Sequence, residues 1–156
     1  MASDATERFR ERARDLGLDL EVHEFPAGTR TAADAAEAIG CDVGQIVKSL
    51  VFIADDGPVL ALTSGANRVD EEALAAALGA TAVRKADAQE VRDATGYAIG
   101  GTPPFGHDAP IRIVCDDDLL RYEQVWAAAG TASSVFPLDT ETLLASTGAT
   151  VAPFGR

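Results

Sequence analysis

The stretch that most constrains this chain is residues 46–54, Ile-Val-Lys-Ser-Leu-Val-Phe-Ile-Ala, which is β-branched and almost continuously apolar. A run of this length and composition predicts a strand buried on both faces, and so a sheet with cover on each side. Asp55-Asp56-Gly57-Pro58 follows with turn chemistry, and Val59–Thr63 reads as the returning strand of a hairpin. Lys48 interrupts the run. By the period of two it shares a face with Ile46, Leu50 and Phe52, while Val47, Ser49, Val51 and Ile53 share the other. A lysine there either snorkels past an edge or enters a cavity where its ammonium meets an anion or a carbonyl.

Around that hairpin the signals alternate irregularly. Phe9, Ala13 and Leu16 give residues 4–16 one apolar helical stripe, stopped by Gly17. Arg8, Arg10, Arg12 and Arg14 lie on the same helix among acids and read as a solvated face. Leu20, Val22, Glu24 and Phe25 suggest a first short strand, ended by Pro26-Ala27-Gly28. Thr31, Asp70 and Asp87 cap helices that close at Gly40, Gly79 and Gly96, with Asp87 and Glu90 at capping-box spacing. Short strands are expected at residues 81–84, 111–115, 124–128 and 133–136, the last of these before a closing helix from Asp139 to about Ser146. Hairpin and crossover strands with interspersed helices predict a single α+β domain rather than a doubly wound sheet.

Composition removes several classes of function. No apolar run approaches the roughly 20 residues of a membrane span, and residues 1–17 are charged, unlike a secretory leader. Cys41 and Cys115 stand far apart without a CxxC, and the two histidines, His23 and His107, are too few for a three-His metal site. A reduced cytoplasmic setting is expected. Twenty-five acidic against 13 basic residues give a formal charge of −12, and only Lys48 and Lys85 of the basic residues are lysines. This Asp-rich, Lys-poor balance points to a halophilic cytosol, where salt screens self-repulsion. It also opposes nonspecific nucleic-acid binding.

Residues 95–107, Thr-Gly-Tyr-Ala-Ile-Gly-Gly-Thr-Pro-Pro-Phe-Gly-His, form the second chemical feature. Paired glycines let main-chain N–H groups approach a ligand, and paired prolines freeze the segment after them. The loop lacks the spacing of GxxxxGK[ST] and of GxGxxG, so a carbonyl-binding rim and a tight turn before the next strand are both open. No serine sits in a GxSxG context. Cys41 reads as packing at a helix end, His107 as a loop histidine with a possible donor role, and Asp116-Asp117-Asp118 as a solvated turn. A metal-dependent hydrolase built on those three acids is the remaining reading of the triplet.

In order along the chain stand Arg30-Thr31-Ala32, then Gln45-Ile46-Val47-Lys48-Ser49-Leu50. After them come Thr95-Gly96-Tyr97, the segment from Gly100 to Gly106, and Gly130. This series resembles the YbaK/EbsC family, free-standing relatives of the editing domain inserted in bacterial prolyl-tRNA synthetases. The similarity spans about residues 20–150 of one domain covering 1–156. The resemblance implies a mixed, mostly antiparallel, barrel-like sheet flanked by helices. It implies metal-independent, cofactor-free hydrolysis of the ester joining a wrong small amino acid (Ala, Ser or Cys) to tRNA, commonly tRNA(Pro). Partners would be the CCA end of an aminoacyl-tRNA and a prolyl-tRNA synthetase. The resemblance makes Lys48, Gly100 and Gly101 the catalytic set, and Phe25, Thr31, Ser49, Pro104 and Gly130 substrate-binding. Relatives acting on Cys-tRNA tend to carry an acidic residue shortly after the Gly130 position, where Ala132-Ser133-Ser134-Val135 stands here. A local basic rim is expected from among Arg30, Lys48, Arg68, Arg84 and Lys85. The alternative is a non-catalytic module of the same fold that binds tRNA or a synthetase.

Overall fold

The computed structural model describes residues 4–25 and 31–156. In chain order the elements are α1 (Asp4–Asp15), β1 (His23–Glu24), α2 (Ala32–Ile39), β2 (Ile46–Ala54), β3 (Gly57–Ser64), α3 (Glu71–Leu78), β4 (Arg84–Lys85) and α4 (Ala88–Thr95). They continue with β5 (Arg112–Asp116), a 3₁₀ turn (Asp117–Arg121), β6 (Gln124–Ala128), β7 (Ser134–Asp139), α5 (Thr140–Thr147) and β8 (Thr150–Ala152). All eight strands join one mixed sheet in the order β1-β7-β6-β2-β3-β5-β8, with β4 paired to β2. The α+β reading therefore holds. The sheet is open rather than closed into a barrel, since its path ends in a two-residue and a three-residue strand that do not pair with each other.

The β2–β3 hairpin is the spine, in register from Val47↔Ser64 to Ala54↔Gly57. Both faces of it are buried, as the apolar run requires. Val47, Val51, Leu60 and Leu62 pack with Phe9 and Ala13 of α1 on one side. Phe52, Val59 and Ala61 pack with Leu74 and Leu78 of α3 on the other. Ile46 joins a third cluster with Ala35 and Ala36 of α2. The Thr31 hydroxyl accepts from the Asp34 amide, and Asp87 and Glu90 cap each other's main chain.

Several expectations are corrected. Helix α1 stops at Asp15, leaving Leu16 52% exposed rather than on the core stripe. Arg8 and Arg12 are not a solvated face. The Arg8 guanidinium donates to the Gly96 carbonyl and lies 4.7 Å from the Tyr97 ring centroid, while Arg12 donates to the Gly106 carbonyl and pairs with Asp108 at 2.7 Å. They tie α1 to the Gly/Pro-rich loop. The first strand shrinks to His23–Glu24, and its expected stop at Pro26–Gly28 lies outside the described residues. The strand expected at 81–84 reduces to Arg84–Lys85, and β7 is followed by β8, too short to show an alternation in sequence. Asp139 stands at the start of α5 without a side-chain capping bond.

Candidate functional site

The pairing of β2 leaves a gap. On one side β3 covers the strand throughout. On the other, β6 pairs only at Ile46 and Val47, and β4 only at Phe52 and Ile53. Among the described residues no strand covers the interval between them. In an antiparallel ladder alternate residues aim their main-chain groups at opposite neighbours. The Ile46 carbonyl accepts from Gly65 on the β3 side, and the Val51 carbonyl accepts from Ala86 on the other. Ser49 shares the phase of Val51, so its N–H and C=O face the gap.

A cavity of about 590 Å³ opens there. Thr31, Ala32 and Ala35 of the α2 segment, Lys48 and Ser49 of β2, Lys85, Val91, Ile99, Gly100, Ala132 and Val135 contribute to its wall. The apolar members are mostly small, so the space is shaped for something compact. The Ser49 hydroxyl is buried and has no hydrogen-bond partner among the described residues. An unpaired buried hydroxyl is costly unless a ligand or water completes it.

Lys48 sits where the two covered parts of its sheet face meet, between Ile46 under α2 and Leu50 and Phe52 under α3. Its ammonium donates to the Asn67 carbonyl. Partial burial pushes the Lys48 pKa below the ordinary lysine value, and the neighbouring charges of Lys85 and Arg68 push the same way, against the opposing pull of Asp116. Lys48 and Lys85 thus put two cations on the cavity wall, and Arg68 lies close enough to Lys48 to act on its charge. Arg84 is spent elsewhere, in a two-pronged pair with Glu90 at 2.9 and 2.8 Å. Arg30 lies outside the described residues.

The two loop glycines have different tasks. Gly101 donates to the Ala98 carbonyl at 3.0 Å, closing a turn in which Gly100 holds the third position at φ 87°. A side chain at Gly100 would be strained by that angle. At Gly101 it would collide instead, since a Cβ would stand 2.7 Å from Thr131 Cα and 2.9 Å from the Gly130 carbonyl oxygen. The Gly101 amide is therefore committed, whereas the Gly100 amide has no acceptor among the described residues.

Of the residues singled out in the sequence, Lys48, Ser49, Gly100 and Thr31 meet at the cavity. Gly101 and Pro104 are buried behind it. Gly130, at φ 106°, lies against the backbone of Ala5 and donates to the Gly101 carbonyl, so it braces the loop from beneath. Phe25 is half-buried, its amide bonded to the Ser133 carbonyl, and is not part of the wall. His107 is turned away. Its Nε2 lies 2.7 Å from the Pro103 carbonyl, its ring meets Tyr97 edge-on, and it lines a separate cavity beside Arg12 and Asp108. Burial holds the His107 pKa below the ordinary histidine value.

Asp116 is not part of a solvated turn. It is fully buried, accepting from the Ser64 amide (3.1 Å), Asn67 Nδ2 (2.9 Å) and the Asp118 amide (3.0 Å). Three donors explain how a carboxylate tolerates that position. Asp116, Asp117 and Asp118 bring carboxylate oxygens within 4.8 Å of one another, but those of Asp116 are occupied by these bonds.

Residues 26–145 match the family of the aminoacyl-tRNA editing domain. The chain is 32% identical over 117 residues to the proline–tRNA ligase of Ligilactobacillus salivarius, a match covering 70% of this chain and 20% of the ligase. It thus spans about a fifth of that relative. It is 29% identical over 118 residues to the "Putative Cys-tRNA(Pro)/Cys-tRNA(Cys) deacylase EbsC" of Enterococcus faecalis, covering 75% of this chain and 72% of that one. Among solved structures, a "putative trans-editing enzyme for prolyl tRNA synthetase" superposes with a TM-score of 0.95 at 45% identity, covering 100% of this chain and 99% of the other. Among the described residues no helix is long and apolar enough to cross a membrane.

Proposed function

The chain belongs to the aminoacyl-tRNA editing domain family, and on that footing we propose that it is a trans-editing deacylase. It hydrolyses the ester of a small amino acid mischarged on tRNA, with Ala, Ser or Cys on tRNA(Pro) as the candidates. The observation that carries this reading is the meeting of Lys48, Gly100 and a Ser49 hydroxyl that has no partner among the described residues, in one cavity with small apolar walls.

In this mechanism the Lys48 ammonium, with Lys85 and Arg68 beside it, holds the phosphate or ribose of the terminal adenosine. Ser49 offers a hydroxyl and a main-chain N–H and C=O to the aminoacyl group. The Gly100 amide takes the carbonyl oxygen and stabilises the oxyanion as the tetrahedral intermediate forms, an interaction worth roughly 2.7–4 kcal/mol in comparable sites. With the ester held and the carbonyl polarised, water attacks and the ribose oxygen leaves with a proton. Attack by the adjacent ribose hydroxyl only moves the acyl group along the ribose, so water must still complete that route. For Cys the substrate's own thiol can displace the ribose oxygen to leave a thiolactone that water then opens. No metal takes part. Ala32, Ala35, Ile99, Ala132 and Val135 limit the side chain by size, a discrimination of about 1–3 kcal/mol per methylene.

The test is deacylation of Ala-, Ser- and Cys-tRNA(Pro) in high KCl by the wild type and by Lys48→Ala. Multiple turnover on one of the three, at least tenfold slower in the variant and indifferent to chelator, supports the proposal. Stoichiometric binding without turnover on any of them overturns it in favour of a binding module.

A further inference from the structure

The lysine at the cavity mouth does not choose its own position. Its ammonium donates to the main-chain carbonyl of Asn67, in the turn that leaves β3. That turn is gripped by its side chain, because the two hydrogens of Asn67 Nδ2 go to two carboxylates: Asp116 Oδ2 at 2.9 Å and Asp118 Oδ2 at 2.7 Å. Asp116 in turn is locked by the Ser64 and Asp118 amides, and the Asn67 amide donates back to the Ser64 carbonyl. The carboxy-terminal segment closes over this bracket. Arg68 and Arg156 exchange main-chain hydrogen bonds, and a Cβ at Gly155 would stand 2.4 Å from Asn67 Nδ2 and 2.5 Å from Asp116 Oδ2.

Among the described residues no cation is bonded to this fully buried carboxylate, which even with three neutral donors is a costlier choice than an apolar residue for a turn. Its position makes sense if it serves the lysine. We infer that Asp116 is a positioning residue: through the Asn67 side chain it fixes the carbonyl that holds the Lys48 ammonium at the cavity. The value of this to a substrate rests on the editing reading, but the geometry does not. The charged groups facing Lys48 are Lys85 of β4, Arg68 after β3 and Asp116 at the end of β5. The first two favour the neutral amine, and Asp116 alone opposes them.

The chain has only two lysines, so protein labelled with ¹³C at lysine Cε gives two titrating signals, assigned with Lys48→Arg. Asp116→Asn keeps the shape and removes the charge, and Asn67→Ala releases the bracket with the charge left in place. In Asp116→Asn the Lys48 signal is expected to titrate at a lower pH than in the wild type, with Lys85 moving less. Where turnover is found, the alkaline limb of its kcat/KM profile moves down with that signal. In Asn67→Ala the Lys48 shift changes and Lys85 keeps its own. Lys48 titration and shift equal to wild type in folded variants overturn the inference. If Asp116→Asn does not fold, Asn67→Ala decides alone by the same criterion. Altered Lys48 titration in a protein inactive on every aminoacyl-tRNA would sustain this inference and sink the editing reading, so the two fail separately.

Discussion

The loop that carries Gly100 is expected to depend on Gly101 more than on any other glycine in it. Gly101→Ala adds one methyl group, which would stand 2.7 Å from Thr131 Cα, 2.9 Å from Thr131 C and 2.9 Å from the Gly130 carbonyl oxygen. All three are main-chain atoms, so no side chain can swing aside and the two segments must part. Overpacking of this kind costs about 1–3 kcal/mol. The separation also stretches the bonds from Gly101 to Ala98 and from Gly130 to Gly101, each worth about 1 kcal/mol net. A loss of about 2–4 kcal/mol follows, or roughly 4–16 °C in Tm for a domain of this size. Differential scanning calorimetry in molar KCl measures it. Because the turn from Ala98 to Gly101 sets the Gly100 amide, deacylation should fall in the same variant by tenfold or more at a temperature where it is still folded. A Gly101→Ala protein within about 2 °C of wild type and fully active would refute the steric reasoning.

Gly130→Ala faces the Ala5 backbone at 2.9 Å and holds φ 106°, so it too should lose about 2–4 kcal/mol, read by urea unfolding. Glu90 is held from an ordinary 4.5 down to about 2 by Arg84 first and by its bond to the Asp87 amide. A depressed carboxyl pKa stabilises the fold above 4.5 and loses that contribution as pH falls through about 2, so Glu90→Gln should flatten acid unfolding in that window. His107, with its pKa lowered by burial, stabilises the fold fully above 6.5 and less as pH falls through its folded value. His107→Gln should remove that slope without changing the deacylation rate at pH 7.5. Lys85→Ala should make the salt dependence of tRNA binding shallower by about 0.7 in log–log slope, one contact on a single strand, while leaving turnover at saturation within about twofold.

What the sequence disclosed and what it hid follow from the range of the signals. The β2–β3 hairpin, the caps at Thr31, Asp70 and Asp87, and the turn at Asp55-Asp56 are local. Each is decided within a few residues, and each stands where the pattern put it. Lys48 was conspicuous because it broke an apolar period. Gly101 and Gly130 are visible as glycines, but their reasons are contacts between distant segments, Gly101 against residues 130–131 and Gly130 against Ala5, which no spacing rule contains. The role of Asp116 is hidden for a related cause. In an Asp-rich chain three consecutive acids look like solvent-facing turn chemistry. Only the approach of Ser64 and Asn67 from the other end of the hairpin shows that the first of them is interior. Arg8 and Arg12 are lost to sequence in the same way, since their acceptors at Gly96 and Gly106 lie far along the chain.

The formal charge of −12 is the hardest fact to square with the proposed ligand, which is itself a polyanion. The difficulty eases once range is considered. Repulsion between the acidic surface and distant phosphates acts over many ångströms, and at about 1 M salt, with a Debye length near 3 Å, little of it remains. A lysine touching a phosphate oxygen inside a partly closed cavity acts at contact and is screened far less. The two lysines of the chain both line that cavity, although arginine supplies the rest of its basic residues. Lysine is the compact, point-like cation whose pKa responds to burial, whereas arginine stays charged and prefers planar, bidentate partners. A surface that rejects nucleic acid in general and a cavity whose two lysines would meet one end of it, as the proposed function requires, are therefore compatible. Salt then suppresses the first effect before the second, and specificity for the terminal adenosine needs no wider basic face.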